Sequence, residues 1–119
     1  MKTEIARTLE SVGILWPEAL DRFLNNETLL LRMLGRFPQE ESFALLCRAL
    51  ADGDVHAAFA AAHSLKGVAG NLSIQPLYLL AGEMTETLRA GRLQEATEQL
   101  PALQEQYDQT VQALRALPL

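Results

Sequence analysis

Apolar side chains recur at intervals of three and four residues along almost the whole chain, and strand-type alternation is absent over any useful stretch. β-Branched residues are scarce, while glycine and proline fall mainly where helices would begin or stop. The pattern predicts a short amphipathic piece over about Lys2–Ser11, stopped near Gly13. Pro17 can open a second piece through Leu24, and Asn25-Asn26 breaks it before a helix over Glu27–Arg36. Pro38 then starts a helix with Glu40 and Glu41 in its first turn, running to about Ala51 and ending at Gly53. Asp54 is a natural N-cap for the next helix, which reaches about Asn71.

Ser73 can cap a further helix that tolerates Pro76 in its first turn and stops at Gly91. A last helix spans roughly Leu93–Leu117 with Leu100, Leu103, Tyr107, Val111 and Leu114 as its stripe, kinked or divided at Pro101. Short connections at Gly53 and Leu72-Ser73 send neighbouring helices antiparallel. The expected architecture is all-α: an up-down four-helix bundle over about 38–52, 54–71, 74–90 and 93–117, behind a helical cap over about 1–36. At 119 residues this is one domain, with no internal repeat or linker.

Composition narrows the function more than the fold. Apolar residues make up 49% of the chain, and the formal charge of −5 disfavours nucleic acid, which needs a basic footprint. Glu4, Arg7 and Glu10 interrupt the N-terminal apolar positions, against a signal peptide, and no run is long enough to span a membrane. Cys47 is the only cysteine and reads as a small core residue. A cytoplasmic monomer is the default expectation. No phosphate-binding glycine loop, Glu-x-x-His pair or Cys-x-x-Cys-His haem attachment occurs. Two histidines and one distant cysteine fall short of a zinc site, so neither a metal nor a resident cofactor is expected.

The distinctive segment is the helix holding His56 and His63. With a helix advancing roughly 100° per residue, Ala58, Ala61, Leu65, Val68, Ala69 and Leu72 gather opposite His63. Lys66, Gly67, Gly70 and His56 fall within about 60° of it by the same arithmetic. The imidazole of His63 therefore points away from the core stripe. Glycine in a helix interior costs about 1 kcal/mol relative to alanine, and this face carries two. A surface that gives up that stability beside an outward histidine suggests close approach by something large. His56, near the helix start with no glycine beside it, reads as a solvated first-turn side chain.

The run Ala62-His63-Ser64-Leu65-Lys66-Gly67-Val68-Ala69-Gly70-Asn71-Leu72 resembles the active-site helix of histidine-containing phosphotransfer (HPt) domains. Leu20-Asp21-Arg22-Phe23, Leu31–Phe37, Ala49–Asp54 and Leu88-Arg89-Ala90-Gly91 extend the likeness over most of the chain; Trp16-Pro17 departs from it. The resemblance implies a carrier, not an enzyme, whose His63 accepts a phosphoryl group from a receiver-domain aspartate or a kinase and passes it to another receiver domain. Nε2, the outer ring nitrogen, is the expected nucleophile.

On that reading Lys66 places its ammonium beside the phosphoryl oxygens. Gly67 lets the partner pack on bare backbone, and Gly70, Phe59 and Asn71 are further candidate contacts. Mg²⁺ is expected on the receiver, because the histidine face presents no carboxylate of its own beside His63. Two rivals stay open: a non-phosphorylated adaptor bundle binding the same partners, and a haem-binding bundle ligated by His63.

Overall fold

The computed structural model describes residues 2–117; Met1, where the predicted cap begins, Pro118 and Leu119 lie outside them. Among the described residues there are α1 (Lys2–Ser11), α2 (Trp16–Arg22), α3 (Glu27–Arg36), a 3₁₀ turn (Phe37–Gln39), α4 (Ser42–Asp52), α5 (Val55–Asn71), α6 (Gln75–Arg89) and α7 (Leu93–Arg115), with no strand beyond an isolated bridge. The protein is all-α. Helix α5 lies between α4 and α6, α6 packs on α7, and α7 touches α4, α3 and α1.

The core is built from one stripe of each long helix. Leu46 of α4, Leu65 and Ala69 of α5, Leu77 and Met84 of α6 and Leu103 and Leu114 of α7 are all buried. On α5 the predicted inner set is buried except Val68, which is partly covered. Small residues on its inner face, Ala58, Ala61, Ala62 and Ala69, bring neighbouring backbones close. An aromatic seam closes the opposite side: the Phe43 ring stacks on Tyr107 at 4.1 Å between centroids, and Phe37 meets the same ring at 5.8 Å.

Three expectations need correction. The helix after Pro38 starts four residues late. Pro38 lies in the 3₁₀ turn, Glu40 is extended, and α4 begins at Ser42. Glu40 does not sit in a first turn; its carboxylate reaches forward, accepting from the Ser42 backbone N–H (2.9 Å) and hydroxyl (3.1 Å). Ser73 does not cap α6. It is the left-handed residue (φ 54°) ending α5, with the Ser73 N–H donating to the Gly70 carbonyl and the Ile74 N–H to the Ala69 carbonyl. Its hydroxyl is buried and has no hydrogen-bond partner among the described residues. Of the two outcomes expected at Pro101, a kink or a division, division is excluded, because α7 runs on as one helix through it.

The N-terminal helices are tied to the α5–α6 turn by two backbone bonds, Leu15 N–H to the Ser73 carbonyl and Gln75 N–H to the Gly13 carbonyl. Gly13 has φ 80°, and a Cβ there would lie 2.5 Å from the Pro76 ring. Only glycine fits both demands. This junction lays α2 beside the outer face of α5.

Candidate functional site

Asp54 caps α5 as expected, its carboxylate accepting from the Ala57 N–H at 3.0 Å. From that start the helix carries His63, in its middle, out to solvent. Its ring is parallel to the Phe59 ring within 3°, with centroids 6.0 Å apart. The Arg89 guanidinium covers the same phenyl ring at 4.9 Å. Phe59 is thus half-buried, serving both as packing and as a platform against which the imidazole rests. His56 is exposed near the helix start, as predicted, beside Phe59 and Arg89.

Below His63 an open groove of about 340 Å³ runs along α5. Lys66, Gly67, Gly70 and Asn71 form its floor, Tyr78 and Gln75 of α6 one wall, and Glu18 and Arg22 of α2 the other. Four of the predicted site residues therefore share one groove with His63, while Phe59 flanks it from the preceding turn. Ser64 faces away from this groove, its hydroxyl hydrogen-bonded to that of Ser42 at 3.0 Å.

The two glycines differ. A Cβ at Gly67 would meet nothing within 4 Å, so no internal neighbour requires its bare backbone. A Cβ at Gly70 would stand 3.0–3.1 Å from the Tyr78 ring, so this glycine seats an aromatic side chain of α6. Asn71 is the last residue of α5 and exposed.

Sequence reasoning missed what the neighbouring helices bring. Lys66 does not extend freely: its Nζ lies 5.7 Å from the centroid of the Tyr78 ring. A carboxylate from a neighbouring helix, Glu86 of α6, is paired with Arg89 at 3.0 Å. Its carboxyl is held below the usual range, first by hydrogen bonds donated from Arg89 (3.0 and 3.3 Å) and then by the positive charges of Arg89 and Lys66. Glu18, in the far wall, is paired with Arg22 at 3.1 Å. These groups lie on α2 and α6, so no spacing along α5 could have announced them. Among the described residues, no group of three or more His, Cys, Asp or Glu side chains could hold a metal ion.

The site thus combines an exposed imidazole in mid-helix, a lysine one turn on and a glycine with open space above it. The family model of the Hpt domain matches residues 39–113, well over half of the chain. The chain belongs to the Hpt domain family. Hpt domains are phosphocarriers of phosphorelays, acting with receiver domains and histidine kinases, and are not enzymes in the usual sense. The match covers α4 through nearly all of α7 and stops short of α1–α3. No curated protein and no solved structure matches the chain. Among the described residues, no helix of this Hpt domain is long and apolar enough to cross a membrane.

Proposed function

We propose that this Hpt domain is a phosphorelay carrier that takes a phosphoryl group on His63 and passes it to a response-regulator receiver domain. The observation that carries the reading is the exposure of the His63 ring at the head of a groove whose floor is Lys66 and the unobstructed Gly67.

Phosphoryl transfer depends chiefly on in-line placement and on stabilising charge spread over the oxygens. With its proton on Nδ1, the imidazole presents the Nε2 lone pair to solvent. The Nε2–P bond forms as the acyl-phosphate P–O bond of the donor breaks, and the receiver's aspartate leaves as carboxylate. Phe59 holds the ring plane by parallel stacking, which limits the orientations that the nucleophile can take. Lys66 offers a cation to the phosphoryl oxygens, and Gly67 lets the receiver's loops reach the α5 backbone. Mg²⁺, which receiver chemistry needs, belongs to the receiver on this reading, and Glu86 is occupied with Arg89.

The test is incubation with a phosphorylated receiver domain and Mg²⁺. An acid-labile, base-stable label is expected on the wild type and on His56→Gln, and none on His63→Gln. Label persisting on His63→Gln would overturn the site. Tight receiver binding with no label on any form would make the protein a phosphate-free adaptor instead, and a Soret band on haem titration would point to the haem reading.

A further inference from the structure

Lys66 is held by α6 at two points. Its Cδ and Cε pass over Gly82, where a Cβ would lie 3.6 Å from both carbons. One turn earlier on α6, its ammonium rests 5.7 Å from the Tyr78 ring centroid. That ring is itself seated on α5, because Gly70 leaves the space that any Cβ would take at 3.0–3.1 Å from Cδ1 and Cε1. Tyr78 is 39% exposed and faces the same groove as His63. The ring is too exposed to be explained by core packing, yet it is fixed by a glycine that a helix would otherwise disfavour.

We infer that Tyr78, braced by Gly70, is a positioning residue that holds the Lys66 ammonium at the groove for the phosphoryl group on His63. The inference rests on the proposed phosphoacceptor role of His63 and deepens it. A lysine stem has four rotatable carbons, and an unrestrained one would spread its charge over many positions. An aromatic face attracts the cation without neutralising it, because the ring carries a quadrupole and no net charge. Tyr78 thus keeps the ammonium available to an incoming dianion. The Tyr78 hydroxyl has no part in this, so phenylalanine should serve as well.

The test uses phosphoramidate, a small donor that needs no docking surface. The P–N bond of the donor breaks, ammonia leaves, and the phosphoryl group moves to His63 Nε2. Tyr78→Leu should slow His63 phosphorylation by about 2–5-fold, the range set by an exposed cation–π contact. Tyr78→Phe should match the wild type. In a Lys66→Met background Tyr78→Leu should cause no further loss, since the ring acts through the lysine. Wild-type rates for Tyr78→Leu, or an undiminished loss in the Lys66→Met background, would overturn the inference. The upfield ring-current shift of the Lys66 ε-methylene protons gives an independent reading in the unphosphorylated protein. It should survive Tyr78→Phe and vanish in Tyr78→Leu, and its absence from the wild type would sink the cradle. If the shift is present but no form of the protein takes label, the phosphoacceptor reading has failed and not the geometry.

Discussion

Gly67 and Gly70 lie three residues apart on one helix face, and both weaken the helix, but only Gly70 has an internal reason to be glycine. At Gly67 the space above the backbone is empty, so alanine would add helix propensity without a clash. Gly67→Ala should therefore raise stability, by up to about 1 kcal/mol in a denaturant titration, while slowing transfer from a phosphorylated receiver. Gly67→Gln should slow it further, because a displacement of about 1 Å at a reacting centre can cost on the order of 10²-fold. Transfer at wild-type rates in Gly67→Gln would show that nothing packs there. That His63, Lys66 and Gly67 share one outward face was legible from 3.6-residue periodicity, since all three sit on the helix that defines the face. The Tyr78 ring, Glu86 and Arg89 were not, because their approach to α5 depends on how α6 crosses it.

The ends of α5 illustrate how far local chemistry reaches. Asp54 is followed by a helical pattern and behaves as such a residue should, capping the Ala57 N–H. Replacing it by Ala should cost about 0.5–2 kcal/mol with little change in the His63 phosphorylation rate, and Asp54→Asn should keep most of the stability. An equal loss in both variants would assign the effect to charge rather than to the cap. The other end was misread. Gly53 and Gly91 close α4 and α6 with left-handed residues and the same pair of backbone bonds that Ser73 makes at the end of α5. Serine at such a position looks like the N-cap of the following helix, because its backbone conformation leaves no mark in the sequence. The α4 start was misplaced for a related reason: Glu40 satisfies the Ser42 N–H from outside the helix, so acids after Pro38 signal a cap and not a first turn.

Across the whole molecule, the seam between α4 and α7 makes a claim about pH. Burial, followed by the Asp108 charge, pushes the Cys47 thiol above its ordinary 9.0. Burial, followed by the Glu40 charge, pushes the Tyr107 hydroxyl above its ordinary 10.0. For both groups the folded state holds the proton more tightly than the unfolded state. Their contribution to stability is complete below those ordinary values and is lost as pH rises through the folded ones. Unfolding free energy should decline as pH rises above about 9, and Cys47→Ala with Tyr107→Phe should flatten that limb, read by urea midpoints. An unchanged alkaline slope in the double variant would place the titrating groups elsewhere. The raised thiol pKa also predicts slow alkylation of Cys47 in the native protein.

Sequence alone determined that this chain is helical, where most helices begin and end, and that the His63 imidazole faces water. Those properties depend on neighbours within a turn or two. Tertiary structure decided what surrounds that imidazole. It placed α2 as a wall of the groove through the Gly13–Pro76 contact, laid the Lys66 stem across Gly82, and set Tyr78 in the notch left by Gly70. Each of these contacts joins residues from different helices, and helix spacing and crossing are set by packing of the whole core, which no single segment encodes.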